Sequence, residues 1–535
     1  MKHIRLVGAA AILLMLTVTL SLTIWQNWKL DQMHCDSYDI PLTPAPAQEN
    51  PTEGINADFT LNEKFSSHLP LVILDLGGQV PPITTQIVPH EQYYETIEEI
   101  DPYVWGSMSV IDTESGQNRL TDGVSVQTRI RIKRRGNSSM HYEKPQYAVR
   151  LLTESGQDND VDLLGMGAEH DWILNGSMAD KSMLRNYLSF RLASEVLPYT
   201  PDSRYCEVII KTDTGYEYQG VYLLIESIKQ GENRVDIQDF SASQTFNSFL
   251  VRRDRYDKSD DRMLEVNVPQ GSVEAHRSYF YCLYPGRTDN TVQQKGYIES
   301  VLEHVETVLY SDDEAVFSRY PDCIDVDSFV DYFVINEFLG SYDAGQYSTY
   351  LYQDIGGKVA IGPVWDFDGA MDNARSAVLE PELTAIQTKP WYERLFKDKT
   401  FLQKVERRYT QLRKNILSEE NVMNLIDQLQ SYLGGAKDRE WMRWDSLYTH
   451  PHKLSLKDTV DENGNTLVRE TSRYEQEIHR MKAVLRSHGN AVPARLNVLE
   501  ASTEYETGLR EYQGILLLLA AALFLIPAYF VSYRK

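Results

Sequence analysis

Two uncharged stretches constrain this 535-residue chain more than any other feature: Leu6 to Trp25 (LVGAAAILLMLTVTLSLTIW) and Gly514 to Tyr533 (GILLLLAAALFLIPAYFVSY). Each has the roughly 20 apolar residues that a helix needs to cross a bilayer core of roughly 30 Å. A helix satisfies its own backbone hydrogen bonds, so lipid accepts it, and Pro527 in the second stretch does not exclude a span. Lys2 and Arg5 precede the first stretch, and Arg534 and Lys535 follow the second. The positive-inside rule therefore predicts a membrane protein with both termini cytoplasmic and the main domain outside. Read as a cleaved signal peptide instead, the first stretch leaves that orientation unchanged.

The chain's net charge is -24, and the four basic residues at its ends make the charge between them more negative still. It repels nucleic acid and anionic headgroups, so neither is expected as a partner of the domain. Cys35, Cys206, Cys282 and Cys323 are far apart and form no C-x-x-C pair. One or two disulfides are compatible with export, but a disulfide-built scaffold is not. Residues 1–25 read as a cytoplasmic tip and first anchor, and 26–68 as a linker containing PLTPAPAQENPTEG. The main domain is expected over 69–445, a helical membrane-proximal segment over 446–511, and the second anchor with its basic tail over 512–535.

Within the main domain, Leu69 to Leu76 (LPLVILDL) has the apolar density of a buried strand, and Val126 to Lys133 (VQTRIRIK) alternates as a half-exposed strand does. Tyr147 to Leu152, Val208 to Lys211 and Tyr216 to Glu226 predict further strands, the last two as a hairpin. A helix is expected over Lys181 to Val196, from the stripe of Met183, Leu184, Tyr187, Leu188 and Leu192. Helices are also expected over Val292 to Leu309 and Val326 to Leu339. A strand pair, Ser348 to Gln353 and Lys358 to Ile361, turns at Gly356 and Gly357, and helices resume from Trp391 to about Arg486. The fold class is α+β, strand-rich first and helical second.

The chain has no G-x-x-x-x-G-K-[ST] loop, G-x-G-x-x-G, H-E-x-x-H or G-x-S-x-G. Three polar clusters remain. Arg135-Gly136-Asn137-Ser138-Ser139 closes a strand, with Lys144 before the next; its backbone and hydroxyls could cradle phosphate, or form an ordinary hairpin turn. Asp180 stands at a helix N-cap position, and Arg185 and Asn186 one turn on could reach a cleft or pair with neighbours. Asp343 lies just ahead of the strand pair, and Asp366 and Asp368 just after it, so the pairing can gather three carboxylates at one rim. Oxygen donors of this kind suit a hard divalent cation and phosphoryl transfer.

The order of these pieces resembles the spore coat protein H (CotH) family of atypical protein kinases. The matching residues are LPLVILD, Arg135 to Ser139 with Lys144, Trp172 with Asp180 to Asn186, and Gly220 through Ile237. Asp343, Tyr350 to Tyr352, Pro363 to Asp368 and Lys389-Pro390-Trp391 with Arg394-Leu395 follow, so the likeness runs over roughly 69 to 445. It implies a reduced, divergent two-lobed kinase, with ATP between the lobes and Mg²⁺ or Mn²⁺ as the metal. The acceptor would be serine or threonine on an envelope or spore coat protein. By the same resemblance Asp366 and Asp368 would bind metal, and Asp343 would be the second active-site aspartate. Arg135, Ser138, Ser139, Lys144 and Arg185 would bind the nucleotide, and Glu226 would sit at the inter-lobe connection. Ser348 stands where the family often has a metal-binding asparagine. An outward-facing kinase needs ATP there, so the alternative is a pseudokinase-like surface or envelope assembly protein; a metal-dependent hydrolase is a third reading.

Overall fold

A computed structural model of the protein describes residues 38–508 except 39–40, 49, 88–93, 98, 114–115, 374–383, 450–458 and 461–465. Both candidate membrane spans lie outside the described residues, and among the described residues no helix is long and apolar enough to cross a membrane.

Alternation builds the first half. Along Val126–Arg134, Ile130 and Ile132 are buried while Arg129, Arg131 and Lys133 stay partly exposed. The side-chain period of two puts the isoleucines on one face, and that face lines a closed seven-stranded barrel. Its strands are β1 (Leu71–Asp75), β2 (Val104–Ile111), β3 (Val126–Arg134), β4 (Tyr147–Leu152), β5 (Asp171–Asn175), β6 (Ser203–Thr212) and β7 (Gly215–Glu226). The order is β5-β7-β6-β1-β2-β3-β4, closed by β4 on β5, with only the β1–β6 pair parallel. Val72, Leu74, Val149, Leu151, Trp172 and Val208 fill the barrel. Closure removes the sheet's free edges.

Helix α1 (Arg185–Ser194) is shorter than its apolar stripe predicts. Met183 at φ 63 cannot continue a helix, so Lys181 to Leu184 form a turn instead. Asp180 is not the N-cap but ties this turn down: its carboxylate accepts from the backbone N–H groups of Ser182 at 3.0 Å and Arg185 at 2.8 Å.

The second half has an antiparallel sheet in the order β9-β8-β10-β11: β8 (Phe249–Asp254), β9 (Tyr279–Tyr284), β10 (Thr349–Gln353) and β11 (Ala360–Ile361). Around it lie α2 (Val292–Leu309), α3 (Val326–Leu339), α4 (Lys399–Leu412), α5 (Glu419–Leu433), α6 (Gly435–Tyr448) and α7 (Tyr474–Glu500). Nearly all of α3 is buried, which its run of Phe329, Val330, Phe333, Val334, Ile335 and Phe338 accounts for.

Helix α6 joins the halves. Arg439 makes a bidentate pair with Glu207 of β6 at 2.8 and 2.9 Å, and neither side chain is exposed. The next residue, Glu440, pairs with Lys144 at 2.6 Å and accepts from the Val221 N–H at 2.7 Å. Gly220 of β7 (φ 107) permits this approach, since a Cβ there would lie 2.2 Å from the Glu440 carboxylate.

Two expected boundaries differ. The proline-rich segment assigned as linker packs on the domain: Ala45 N–H donates to Ser431 O at 2.9 Å, and Pro51 O accepts from Arg439 at 2.9 Å. Its prolines lack N–H donors, so one face can be buried without orphaned groups. Beyond residue 445, α7 buries Ile478, Met481, Leu485 and Leu496 in the same core as α3 and α4. Cys206, Cys282 and Cys323 are free thiols.

Removing one partner of a buried ion pair costs about 3–5 kcal/mol, because the other charge is left without compensation. Arg439→Met should lower unfolding stability in urea by about that amount. Glu207→Leu combined with Arg439→Met should cost clearly less than the sum of the single changes; additive losses would show that the pair does not couple the halves.

Candidate active site

Three chain segments meet at the candidate site, here termed the cleft: the loop after α3, the segment after β11 and the turn after β3. Helix α3 stops at Gly340 (φ 62), and the following loop carries Asp343 into β10. The β10–β11 ladder pairs Leu351 with Ile361 and Tyr352 with Ala360. The chains at its end are thereby brought together, and Ser348 Oγ donates to Asp366 Oδ2 at 3.1 Å. Ser348 and Asp366 both hold left-handed backbone, at φ 48 and φ 67. Such conformations cost non-glycine residues energy, though aspartate tolerates them better than most, and they aim side chains that regular strands would not.

The Asp366 side chain is exposed at this rim, and the protein packed beneath it together with the Asp343 carboxylate raises its pKa. Asp368, two residues on, is pushed up to about 7 by burial, by Asp366 and by Asp180, against the opposing hydrogen bond from Asn186. Asn186 reads this loop with both ends of its amide: Nδ2 donates to Asp368 Oδ1 at 2.6 Å, and Oδ1 accepts from the Phe367 N–H at 2.9 Å. Asp343 is held by Arg255 at 3.4 Å. Hard oxygen donors crowded until they resist ionisation are the donor set that a divalent cation relieves.

An arginine clamp behind the loop fixes it. Arg480 of α7 donates to Asp372 O at 2.9 Å and Asn373 Oδ1 at 2.9 Å, Arg469 pairs with the Asp372 carboxylate at 2.9 Å, and Arg185 donates to Ala370 O at 3.0 Å. Arg185 is fully buried, bound to Asp180 at 2.6 Å and Glu477 at 2.8 Å. Burial alone would raise the Glu477 carboxyl, but Arg185 and Arg480 hold it well below the usual range. The structure therefore places Arg185, expected at the nucleotide, in this clamp instead, with its guanidinium enclosed.

Arg135 does face the aspartates. Its guanidinium lies 5.3 Å over the Trp365 ring, donates to Gln146 at 3.2 Å, and feels both Asp366 and Asp368. After it, Gly136 (φ 98) must lack a side chain, because a Cβ would sit 1.9 Å from Ser139 Oγ. Ser138 and Ser139 open a short 3₁₀ turn, Ser138–His141, rather than a simple hairpin loop. Lys144, expected to touch phosphate, is wholly enclosed: its ammonium donates to Val221 O and Glu440, each at 2.6 Å. Glu226 ends β7, where the chain leaves the barrel, and is buried against Arg234 at 2.5 Å with Tyr199 and the Asp202 N–H as donors.

Sequence reasoning missed Arg469, Glu477 and Arg480, which lie more than 90 residues beyond the loop they support, and Glu440, nearly 300 residues beyond Lys144, with no motif spacing to mark them. Arg255 and Lys389 beside Asp343 were equally silent as site residues.

In the absence of divalent cation, the raised Asp368 carboxyl binds a proton in the folded state that the unfolded chain releases near about pH 4. Stability should thus fall as pH rises from about 4 to about 7. Thermal melts of Asp368→Asn, which carries no titrating group at that position, should flatten this slope; an unchanged slope would assign it to other groups.

No curated protein is similar to this chain. The family model described as CotH kinase protein matches residues 132–492, which takes in Arg135, the three aspartates, Glu440 and most of α7. The chain belongs to the CotH kinase protein family.

Proposed function

We propose that the protein is an atypical protein kinase that moves the ATP γ-phosphoryl group to serine or threonine hydroxyls of envelope or coat proteins. The uncharged stretches near both ends support anchoring in a membrane with the domain on the outer side. The observation that carries the kinase reading is the gathering of Asp343, Asp366, Asp368 and Ser348 at one end of the β10–β11 pair, opposite Arg135.

Asp366 and Asp368, with Ser348 beside them, fit Mg²⁺ or Mn²⁺, which would neutralise phosphate charge there. Arg135 would add a fixed guanidinium to the phosphates. Asp343 would orient the acceptor hydroxyl and accept its proton. The hydroxyl oxygen bonds to the γ-phosphorus as the bond to the β–γ bridging oxygen breaks, and that electron pair leaves with ADP. The enclosed Lys144–Glu440 pair has the chemistry of the Lys–Glu pair of protein kinases. We assign Lys144 a positioning role rather than direct phosphate contact.

A second reading has its own support. Arg255 occupies the Asp343 carboxylate, and Lys144 has no exposed surface, as in a catalytically weak homologue that binds and assembles surface proteins.

The full chain in detergent, given ATP labelled in the γ-phosphoryl group and Mg²⁺ or Mn²⁺, should label itself or an added acceptor. Asp343→Asn and Asp366→Asn should each reduce labelling by at least about 100-fold without unfolding, asparagine being tolerant of the left-handed backbone at 366. A folded wild-type chain that binds nucleotide but labels nothing would select the binding reading.

A further inference from the structure

We infer that Lys389, with Arg255 beside it, forms an oxyanion site that holds the phosphoryl group in transit at the Asp343 end of the cleft. The inference rests on the kinase reading and adds to it the groups that meet the charge on the transferred phosphoryl oxygens.

Lys389 is 8 % exposed, and among the described residues no carboxylate lies within ion-pair distance of its ammonium. Its neighbours are the Tyr342 ring at 4.2 Å and Gln346 Oε1 at 3.3 Å. A buried ammonium held only by a ring face and an amide oxygen is costly. The fold nevertheless positions it firmly: Gly345 (φ 84) of the Asp343 loop packs so closely that a Cβ there would stand 3.1 Å from the Lys389 Cβ. Burial lowers the Lys389 pKa while the Asp343 carboxylate, near enough to act on it, opposes the shift. On the same side, Arg255 pairs with Asp343 at 3.4 Å and lies 3.8 Å over the Tyr347 ring, half exposed.

The charges thus follow an order along the cleft. Arg135 feels Asp366 and Asp368, Asp366 feels Asp343, and Asp343 is flanked by Arg255 and Lys389. Cations stand at both ends of the aspartate row. Arg135 is placed for the phosphates that stay with the nucleotide, and the far pair for the group that departs toward the acceptor. Preorganised cations at the point where charge shifts lower the barrier without reorganisation.

The test uses the full chain in detergent and two serine-rich peptides as acceptors, one neutral and one acidic. Lys389→Met should lower the single-turnover transfer rate by about 100-fold. The loss should be equal for both peptides, with affinity for a fluorescent ATP analogue unchanged within about two-fold. Lys389→Arg should restore part of the rate. Arg255→Met, at an exposed position and safe for folding, should cost about 10-fold in rate and serves if Lys389→Met does not fold. A loss confined to the KM of the acidic peptide would mean that the cations read acceptor charge, and would overturn the proposal. So would a parallel loss of nucleotide affinity, or variants as fast as wild type. Failure of the wild-type chain to transfer phosphate would instead remove the kinase reading and this inference with it.

Discussion

Two consecutive residues of α6, Arg439 and Glu440, bear opposite charges into the same buried seam, and the relation of barrel to helices depends on them. Each meets a barrel partner of opposite sign, Glu207 and Lys144, with no exposed surface on any of the four side chains. Apolar packing would tolerate sliding between the halves. Buried charges do not, because a displaced ion loses its partner in a medium that cannot solvate it. The seam therefore sets the register in which Arg135, at the end of β3, faces the aspartates that follow β11.

The carboxylates would repel one another out of the cleft if their loop were free. It is not free: the arginine clamp grips Ala370, Asp372 and Asn373 from behind, while Asn186 takes hold of Phe367 and Asp368. The raised pKa values of Asp366 and Asp368 express what this restraint imposes, since these two groups are held near one another before any cation is present to relieve them. Stored electrostatic strain of this kind favours a multivalent cation over a monovalent one.

Much of this was legible in the sequence, for reasons that are local. Tyr147–Leu152, Val292–Leu309 and Val326–Leu339 have the bounds that their periodicity predicts. The hairpin ending at Glu226 and the strand pair after Ser348 follow from turn residues and apolar density. Asp343, Asp366 and Asp368 were legible because they lie before and after a strand pair that can bring its two ends to one rim. Barrel closure was not legible, because the β4–β5 and β1–β6 pairings are non-local and leave no mark on either strand alone. Arg185 shows the other limit: its spacing allowed either a cleft or a partner, and two of the partners that enclose it, Ala370 and Glu477, lie nearly 200 and nearly 300 residues away. The proline-rich segment was misread because composition reports the absence of backbone donors, not the absence of a surface to lie on.

The clamp also carries a consequence for the order in which the molecule can be built. Arg469, Glu477 and Arg480 come more than 90 residues after the loop that they grip. A ribosome releases the aspartates long before it releases the residues that restrain them. During synthesis the domain passes through a stage with a complete barrel and a complete set of acidic side chains, whose loop has Arg185 and Asn186 to hold it but not yet Arg469 and Arg480. Competence at the cleft is then a late event in the chain's history, withheld until α7 docks.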